Sequence, residues 1–197
     1  MISKNQDSTY EIKQGDLPSF LSVIEEQYKV YSDFLYLKPS LDGLSEEQII
    51  RLNHNQIDPL YICTIFSALF LEAFIFDYCA RKRSTSFAMS IDKLSPSEKW
   101  SIGTELCNSQ GINTSKQPYE ELKTLFRLRN NLAHNKSKEF HMDNITQQQS
   151  GVKGLKPVQC VSTIIKLLEE LILIDTNEIY APIVISRLKK LKNDYPT

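Results

Sequence analysis

One long apolar stretch, residues 60–80, constrains the fold of this chain more than any other feature. A helix of this length extends about 30 Å, which is enough to cross a membrane. Two carboxylates, Glu72 and Asp77, interrupt the stretch, and a charge inside lipid is costly. Its apolar residues fall on every side of the helix, which is typical of a helix surrounded by others. We therefore expect a buried central helix that begins at Asp58 and Pro59 and runs to about Arg83, without a membrane span.

The composition favours a single globular domain made of long helices. The chain has 197 residues, 41% of them hydrophobic and 24% charged, which are ordinary values. It contains only 6 glycines, so many short strands joined by turns are not expected. The net charge of -1 gives no general attraction to nucleic acid, and any RNA contact must use a local basic patch.

The N-terminus and the cysteines indicate a cytoplasmic protein. Residues 1–7 are polar and lack the apolar core of a secretory signal. The four cysteines are scattered along apolar stretches, as expected for reduced core residues in a cytoplasmic protein. None forms a closely spaced pair with another cysteine or with a histidine, so no zinc site is expected.

Capping residues and prolines mark the starts of the helices. Ser45 and Gln48 predict a capping box for a short helix. Ser95 and Glu98 predict a second box, with Pro96 in the first turn. Further helices are predicted to begin near Leu17, Pro118 and Pro157.

These signals predict an all-α fold, an antiparallel up-and-down bundle of four to five main helices with short extra helices. Residues 1–197 are expected to form one domain. Its bundle core would lie at about 58–174, and residues 16–53 would form an N-terminal helical extension.

The helix predicted from Pro118 carries a charged residue on its apolar side. At about 100° per residue, Arg129 falls near the middle of an apolar arc. The arc consists of Leu122, Leu125, Phe126, Leu132 and Ala133. An arginine in this position needs a partner, because a lone desolvated charge is very costly. The candidates are the two carboxylates of the central helix, Glu72 and Asp77.

The same helix carries groups that suit cleavage of an RNA phosphodiester. Asn130 and His134 are four residues apart and share a face at the border of the arc. The histidine can move a proton to or from a ribose 2′-hydroxyl or the leaving 5′-oxygen near neutral pH. Arg129 can hold two phosphate oxygens and offset charge on phosphorus, while the asparagine can orient the histidine or the sugar. No metal is required. Acid and base roles suggest two histidines, which a two-fold dimer would provide.

A short motif resembles a known superfamily. Residues 128–136, Leu-Arg-Asn-Asn-Leu-Ala-His-Asn-Lys, resemble the signature of the HEPN superfamily (higher eukaryotes and prokaryotes nucleotide-binding): an arginine, a polar residue, three further residues and a histidine near the end of a late helix. Residues 67–72 resemble the acidic, aromatic-rich second helix of such domains, and residues 97–100 resemble the helix often found before the motif helix. The resemblance covers about residues 58–173.

The resemblance implies a dimer whose motif helices face each other across a cleft. It also implies a metal-independent endoribonuclease of toxin–antitoxin or antiphage-defence systems, without a cofactor and with a cognate antitoxin or defence-system partner. Arg129 and His134 would be the catalytic pair, with Asn130 as the polar residue. Lys136 and Lys138 would be candidates for RNA contact, or simply exposed lysines. Some members carry a modified tyrosine where this chain has Lys136, so that form of regulation is not expected here.

Three hypotheses remain open from the sequence. The first is a dimeric ribonuclease, which the intact set of arginine, asparagine and histidine favours. The second is a non-catalytic HEPN-like module that binds RNA, a nucleotide or a protein partner. The third is a plain helical interaction protein, in which Arg129 is ion-paired with Glu72 or Asp77 and His134 only caps a helix end.

Overall fold

Helices dominate the regular structure of this protein. The computed structural model describes residues 2–4, 10–12, 16–37, 43, 45–133 and 154–196. Seven helices lie in these ranges: α1 (Leu17–Leu37), α2 (Glu46–Lys82), α3 (Thr85–Ser90), α4 (Pro96–Asn108), α5 (Gln117–Ala133), α6 (Pro157–Ile174) and α7 (Tyr180–Asp194). Two three-residue strands, β1 (Ile2–Lys4) and β2 (Tyr10–Ile12), pair antiparallel with Ile2 opposite Ile12. The predicted all-α helical bundle is confirmed; six of its described helices have 13 residues or more, where four to five main helices were expected.

Both predicted capping boxes are present. The backbone N–H of Gln48 donates to the Ser45 hydroxyl, and the Gln48 side chain accepts from the Ser45 N–H at 2.8 Å. Ser95 and Glu98 make the same reciprocal pair at the start of α4, with Pro96 in the first turn. Each box satisfies backbone donors that have no partner inside the helix, so these residues fix where α2 and α4 begin.

The prediction of a helix break before Pro59 is wrong. A short helix at 45–52 was expected to end before a second one began at Asp58 and Pro59, but α2 is one helix of 37 residues with Pro59 inside it. Proline removes a backbone donor and normally ends or kinks a helix. Here Pro59 is buried, at the point where the mostly exposed first turns of α2 enter the core. Packing of its ring offsets the lost hydrogen bond, so the expected boundary between extension and core falls within a continuous helix.

Helix α2 is the central helix of the bundle. Helices α1, α3, α4, α5 and α6 all pack against it. It is also the one helix in the described ranges whose length and apolar composition would suit a membrane span, and 56% of its most apolar window is buried within the bundle. Trp100 of α4 is fully buried against it, stacks on Phe74 and donates its indole N–H to the carbonyl of Leu71 at 3.1 Å. Side chains of α1 and α7 belong to the same core.

The chain packs against α2 again just before α6. A Cβ atom on Gly154 would stand 2.6 Å from the carbonyl oxygen of Leu60, so only glycine fits here without a shift of the backbone. The next residue, Leu155, donates its N–H to the Thr64 hydroxyl at 2.8 Å. Thr64 in turn donates to the Leu60 carbonyl at 2.6 Å. These contacts fix the position from which Pro157 begins α6.

A buried charge cluster joins the C-terminal end of α2 to the α6–α7 turn. Both oxygens of Glu178 accept hydrogen bonds from Arg81 at 3.1 Å. Asp175 is ion-paired with Lys82 and accepts the Tyr78 hydroxyl at 2.9 Å. Burial acts to raise the pKa of Asp175, but the hydrogen bonds from Lys82 and Tyr78 outweigh it and hold that pKa below its usual value.

This lowered pKa predicts a loss of stability in acid. The pKa of Asp175 is lower in the folded than in the unfolded chain, so its stabilising effect is full above about pH 4 and is lost as the pH falls through the folded value. We expect Asp175→Asn to lower the free energy of unfolding at pH 7. At pH 3 the difference in unfolding free energy between this variant and wild type should be smaller. Urea unfolding at both pH values measures this, with the exposed Asp194→Asn as control. A difference that stays constant with pH would contradict the expectation.

Candidate functional site

The motif helix α5 packs one face into the core and leaves its C-terminal end open. Leu122, Leu125 and Phe126 are buried against the neighbouring helices α2, α4 and α6. Leu132 is half-buried, whereas Ala133 is exposed, so the apolar arc does not extend to Ala133 as expected. The core contacts of α5 therefore weaken over its last turn, after Arg129.

Arg129 is ion-paired with the central helix. Its Nη2 atom lies 3.1 Å from Oε2 of Glu72, and the two side chains are 22% and 31% exposed. Of the two carboxylates expected as partners, Glu72 is therefore the one that Arg129 contacts. The guanidinium also lies 5.7 Å from the ring centre of Phe126, one turn earlier. Its Nε atom is buried and has no hydrogen-bond partner among the residues that the structure describes.

Asp77 makes no ion pair with Arg129. It lies further along α2, where burial raises its pKa and the positive charge of Arg81 partly offsets that effect. It lines a shallow groove of about 320 Å³ together with Phe20 of α1 and with Glu72. Of the two carboxylates expected to support Arg129, the structure therefore places Glu72, and not Asp77, in contact with it.

Lys99 was not expected to belong to this group. Its Nζ atom lies 3.2 Å from Oε1 of Glu72 and 2.6 Å from Oδ1 of Asp92, and its side chain is only 6% exposed. Sequence reasoning missed it because lysine is usually exposed. A signal was available, since Lys99 precedes Trp100 and lies four residues before Gly103, and all three face the core from α4.

Four predicted site residues remain. One of them is exposed, and the other three lie outside the described residues. Asn130 is exposed, next to Arg129 on α5. His134, Lys136 and Lys138 lie outside the described residues, and their predicted roles stay predictions. The described structure thus brings Arg129, Glu72, Lys99 and Asp92 into one charge network, with Asn130 beside it.

The network balances two cations against two carboxylates. Each oxygen of Glu72 contacts a different cation, and Asp92 contacts Lys99. Arg129 donates one hydrogen bond within the described part of the chain, although a guanidinium has five donors. Chemically, this arrangement holds a partly exposed arginine in place, and contacts within the described residues use one of its donors.

Among residues 16–37, 45–133 and 154–196, no three histidine, cysteine, aspartate or glutamate side chains converge closely enough to hold a metal ion. Comparison with known proteins found no matching family model, no matching curated protein and no matching solved structure.

Proposed function

We propose that this chain is a metal-independent endoribonuclease of the HEPN type, acting in the cytoplasm as a toxin or an antiphage-defence effector. One observation carries the proposal. The motif arginine, Arg129, is held by Glu72 of the central helix at the open end of α5, beside the exposed Asn130 and five residues before His134. A partly exposed arginine with unused donors can bind a phosphodiester, which a fully buried one could not.

The chemistry proposed for this site is transfer of the phosphorus to the ribose 2′-oxygen. A histidine takes the proton from the 2′-hydroxyl, and that oxygen attacks phosphorus. The bond from phosphorus to the 5′-oxygen breaks, and a second histidine returns a proton to that oxygen. Arg129 binds the non-bridging oxygens, where negative charge develops. The products are a 2′,3′-cyclic phosphate and a 5′-hydroxyl.

The motif contains one histidine, His134, so we propose that the second comes from the motif of another copy and that the enzyme is a homodimer. Asn130, Asn131 and Ala133 are exposed at the end of α5, which leaves this end open to a second copy. A two-fold axis beside it would bring the two motif helices together in one cleft. RNA is the proposed substrate, with Lys136 and Lys138 as candidate contacts, and a cognate antitoxin or defence-system protein is the proposed regulator.

A second candidate function is a non-catalytic module that binds RNA, a nucleotide or a protein partner. The specific observation in its favour is that the charge of Arg129 is already balanced by Glu72 within the fold. A structural ion pair of this kind needs no substrate. Retention of RNA without cleavage would support this candidate over the enzyme.

Cleavage of pooled cellular RNA by the purified protein in EDTA tests the proposal. We expect fragments with 2′,3′-cyclic phosphate ends, and none from His134→Ala, because that variant lacks the group that moves the proton. Light scattering on the same sample should give the mass of a dimer. Uncut RNA in the presence of a folded dimer would contradict ribonuclease activity, and cutting by a monomer would contradict the shared cleft.

A further inference from the structure

Glu72 has two cationic partners that differ in how tightly the fold holds them. Lys99 contacts its Oε1 atom at 3.2 Å and Arg129 contacts its Oε2 atom at 3.1 Å. The Lys99 side chain is 6% exposed and also contacts Asp92 at 2.6 Å, so it is held from two sides. Arg129 is 22% exposed and donates one hydrogen bond within the described ranges. Of the two cations, Arg129 is the one that can leave.

Lys99, the second cation beside Glu72, lowers the cost of moving Arg129 from Glu72 to a phosphate. A carboxylate that loses its cationic partner in a half-buried site is destabilised, although less than in a fully buried one. With Lys99 in place, Glu72 keeps a cationic contact after Arg129 has left, and Asp92, which shares Lys99, has a side chain that is 58% exposed to water. Without Lys99, Arg129 would be the only cation in the described ranges that contacts Glu72. The cost of separating Arg129 from Glu72 would then be subtracted from the affinity for the phosphate.

We propose that Lys99 is a positioning residue of the site: it fixes Glu72 and keeps a positive charge beside it, so that Arg129 can exchange Glu72 for a phosphodiester. This inference rests on the proposed function in one respect, that Arg129 is the group that binds phosphate. Glu72 then orients Arg129 in the free protein and is not stranded in the complex. Lys99 itself touches neither RNA nor the reacting atoms.

The proposal predicts how substitutions at Lys99 and Glu72 change binding. The apparent affinity falls in proportion to the fraction of molecules in which Arg129 is free to bind, so Lys99→Met should weaken binding by about fivefold or more. Adding Glu72→Gln should reverse that loss, because it removes the carboxylate that retains Arg129. The double variant has the same net charge as wild type, so general electrostatic attraction does not explain the reversal.

The probe is an all-2′-deoxy oligonucleotide, which retains phosphates but lacks the 2′-hydroxyl needed for cleavage. Its dissociation constant is measured for each variant of the whole 197-residue chain by fluorescence anisotropy. Lys93→Met, an exposed lysine six residues earlier, is the control for loss of one positive charge. In an Arg129→Ala background, Lys99→Met should have no further effect. A purely structural role for Lys99 predicts neither the reversal nor this dependence on Arg129.

Two results would overturn the proposal. In the first, Lys99→Met binds the oligonucleotide as tightly as Lys93→Met does. In the second, the folded double variant binds it no more tightly than Lys99→Met. Should Lys99→Met fail to fold, Glu72→Gln alone decides the matter. It should bind more tightly than wild type by more than the exposed Glu105→Gln does, and equal gains would overturn the proposal. Cleavage of RNA is measured in parallel and tests the proposed function separately. If the variants differ in affinity as expected but none cleaves RNA, only the ribonuclease activity is refuted. If RNA is cleaved but the affinities do not differ as expected, only the role of Lys99 is refuted.

Discussion

For the proposed ribonuclease, replacing Arg129 by alanine is expected to lower the rate of RNA cleavage by about 10²–10³-fold, the loss typical of removing one group that stabilises charge in the transition state. The fold should survive, because Glu72 keeps its contact with Lys99. The lost ion pair is also partly open to water, where such pairs contribute about 1 kcal/mol or less. Initial cleavage rates, measured beside circular dichroism spectra of the same samples, check both expectations.

Arg127 offers a matched control on the same helix. It lies two residues before Arg129 and is exposed, so Arg127→Ala removes the same charge without touching the network around Glu72. Its cleavage rate should stay near that of wild type. Arg129→Lys retains a charge but lacks the planar fork that holds two phosphate oxygens, and its rate should lie nearer to that of the alanine variant. Equal rates for Arg127→Ala and Arg129→Ala would contradict the role proposed for Arg129.

A Trp100→Ala variant is expected to lose about 3–5 kcal/mol of unfolding free energy, as is typical when a large buried aromatic is truncated. Trp100 is fully buried between α4 and α2, stacks on Phe74 and hydrogen-bonds the Leu71 carbonyl. Alanine would leave a cavity at the contact between the two helices and remove the indole donor. Equilibrium unfolding in urea measures the loss.

Two further variants separate the causes of this effect. Trp100→Phe keeps an aromatic ring beside Phe74 but loses the N–H group, and should fall between wild type and Trp100→Ala. Leu106→Ala, on the same helix but 48% exposed, removes an apolar side chain that the core does not enclose, and should cost much less. A Trp100→Ala variant as stable as Leu106→Ala would show that the contact between α4 and α2 contributes little to stability.

The helix starts were predictable because they depend on neighbouring residues. Ser45 with Gln48, and Ser95 with Glu98, satisfy backbone donors within one turn, and this chemistry is visible in the sequence. The continuity of α2 through Pro59 was not predictable in the same way. It depends on burial of the proline ring by residues distant in sequence, and this tertiary effect overrides the local tendency of proline to end a helix.

The candidate site was predictable only in part, for a similar reason. The position of Arg129 on an apolar arc required a carboxylate partner. The apolar stretch of the central helix contains two carboxylates, of which Glu72 makes the contact. The second cation, Lys99, comes from another helix and reaches Glu72 through the packing of α4 on α2. The neighbours of Lys99 indicate that it faces the core, but they do not specify which carboxylate it contacts.

The contacts of α2 with Arg129 and with Leu155 have a further consequence for the placing of α5 and α6. Glu72 holds Arg129 near the end of α5, and Thr64 holds Leu155 just before α6. Glu72 and Thr64 lie about 12 Å apart along the axis of one helix. The distance between the end of α5 and the start of α6 is therefore set by α2, and a kink in α2 between Thr64 and Glu72 would move these two points relative to each other.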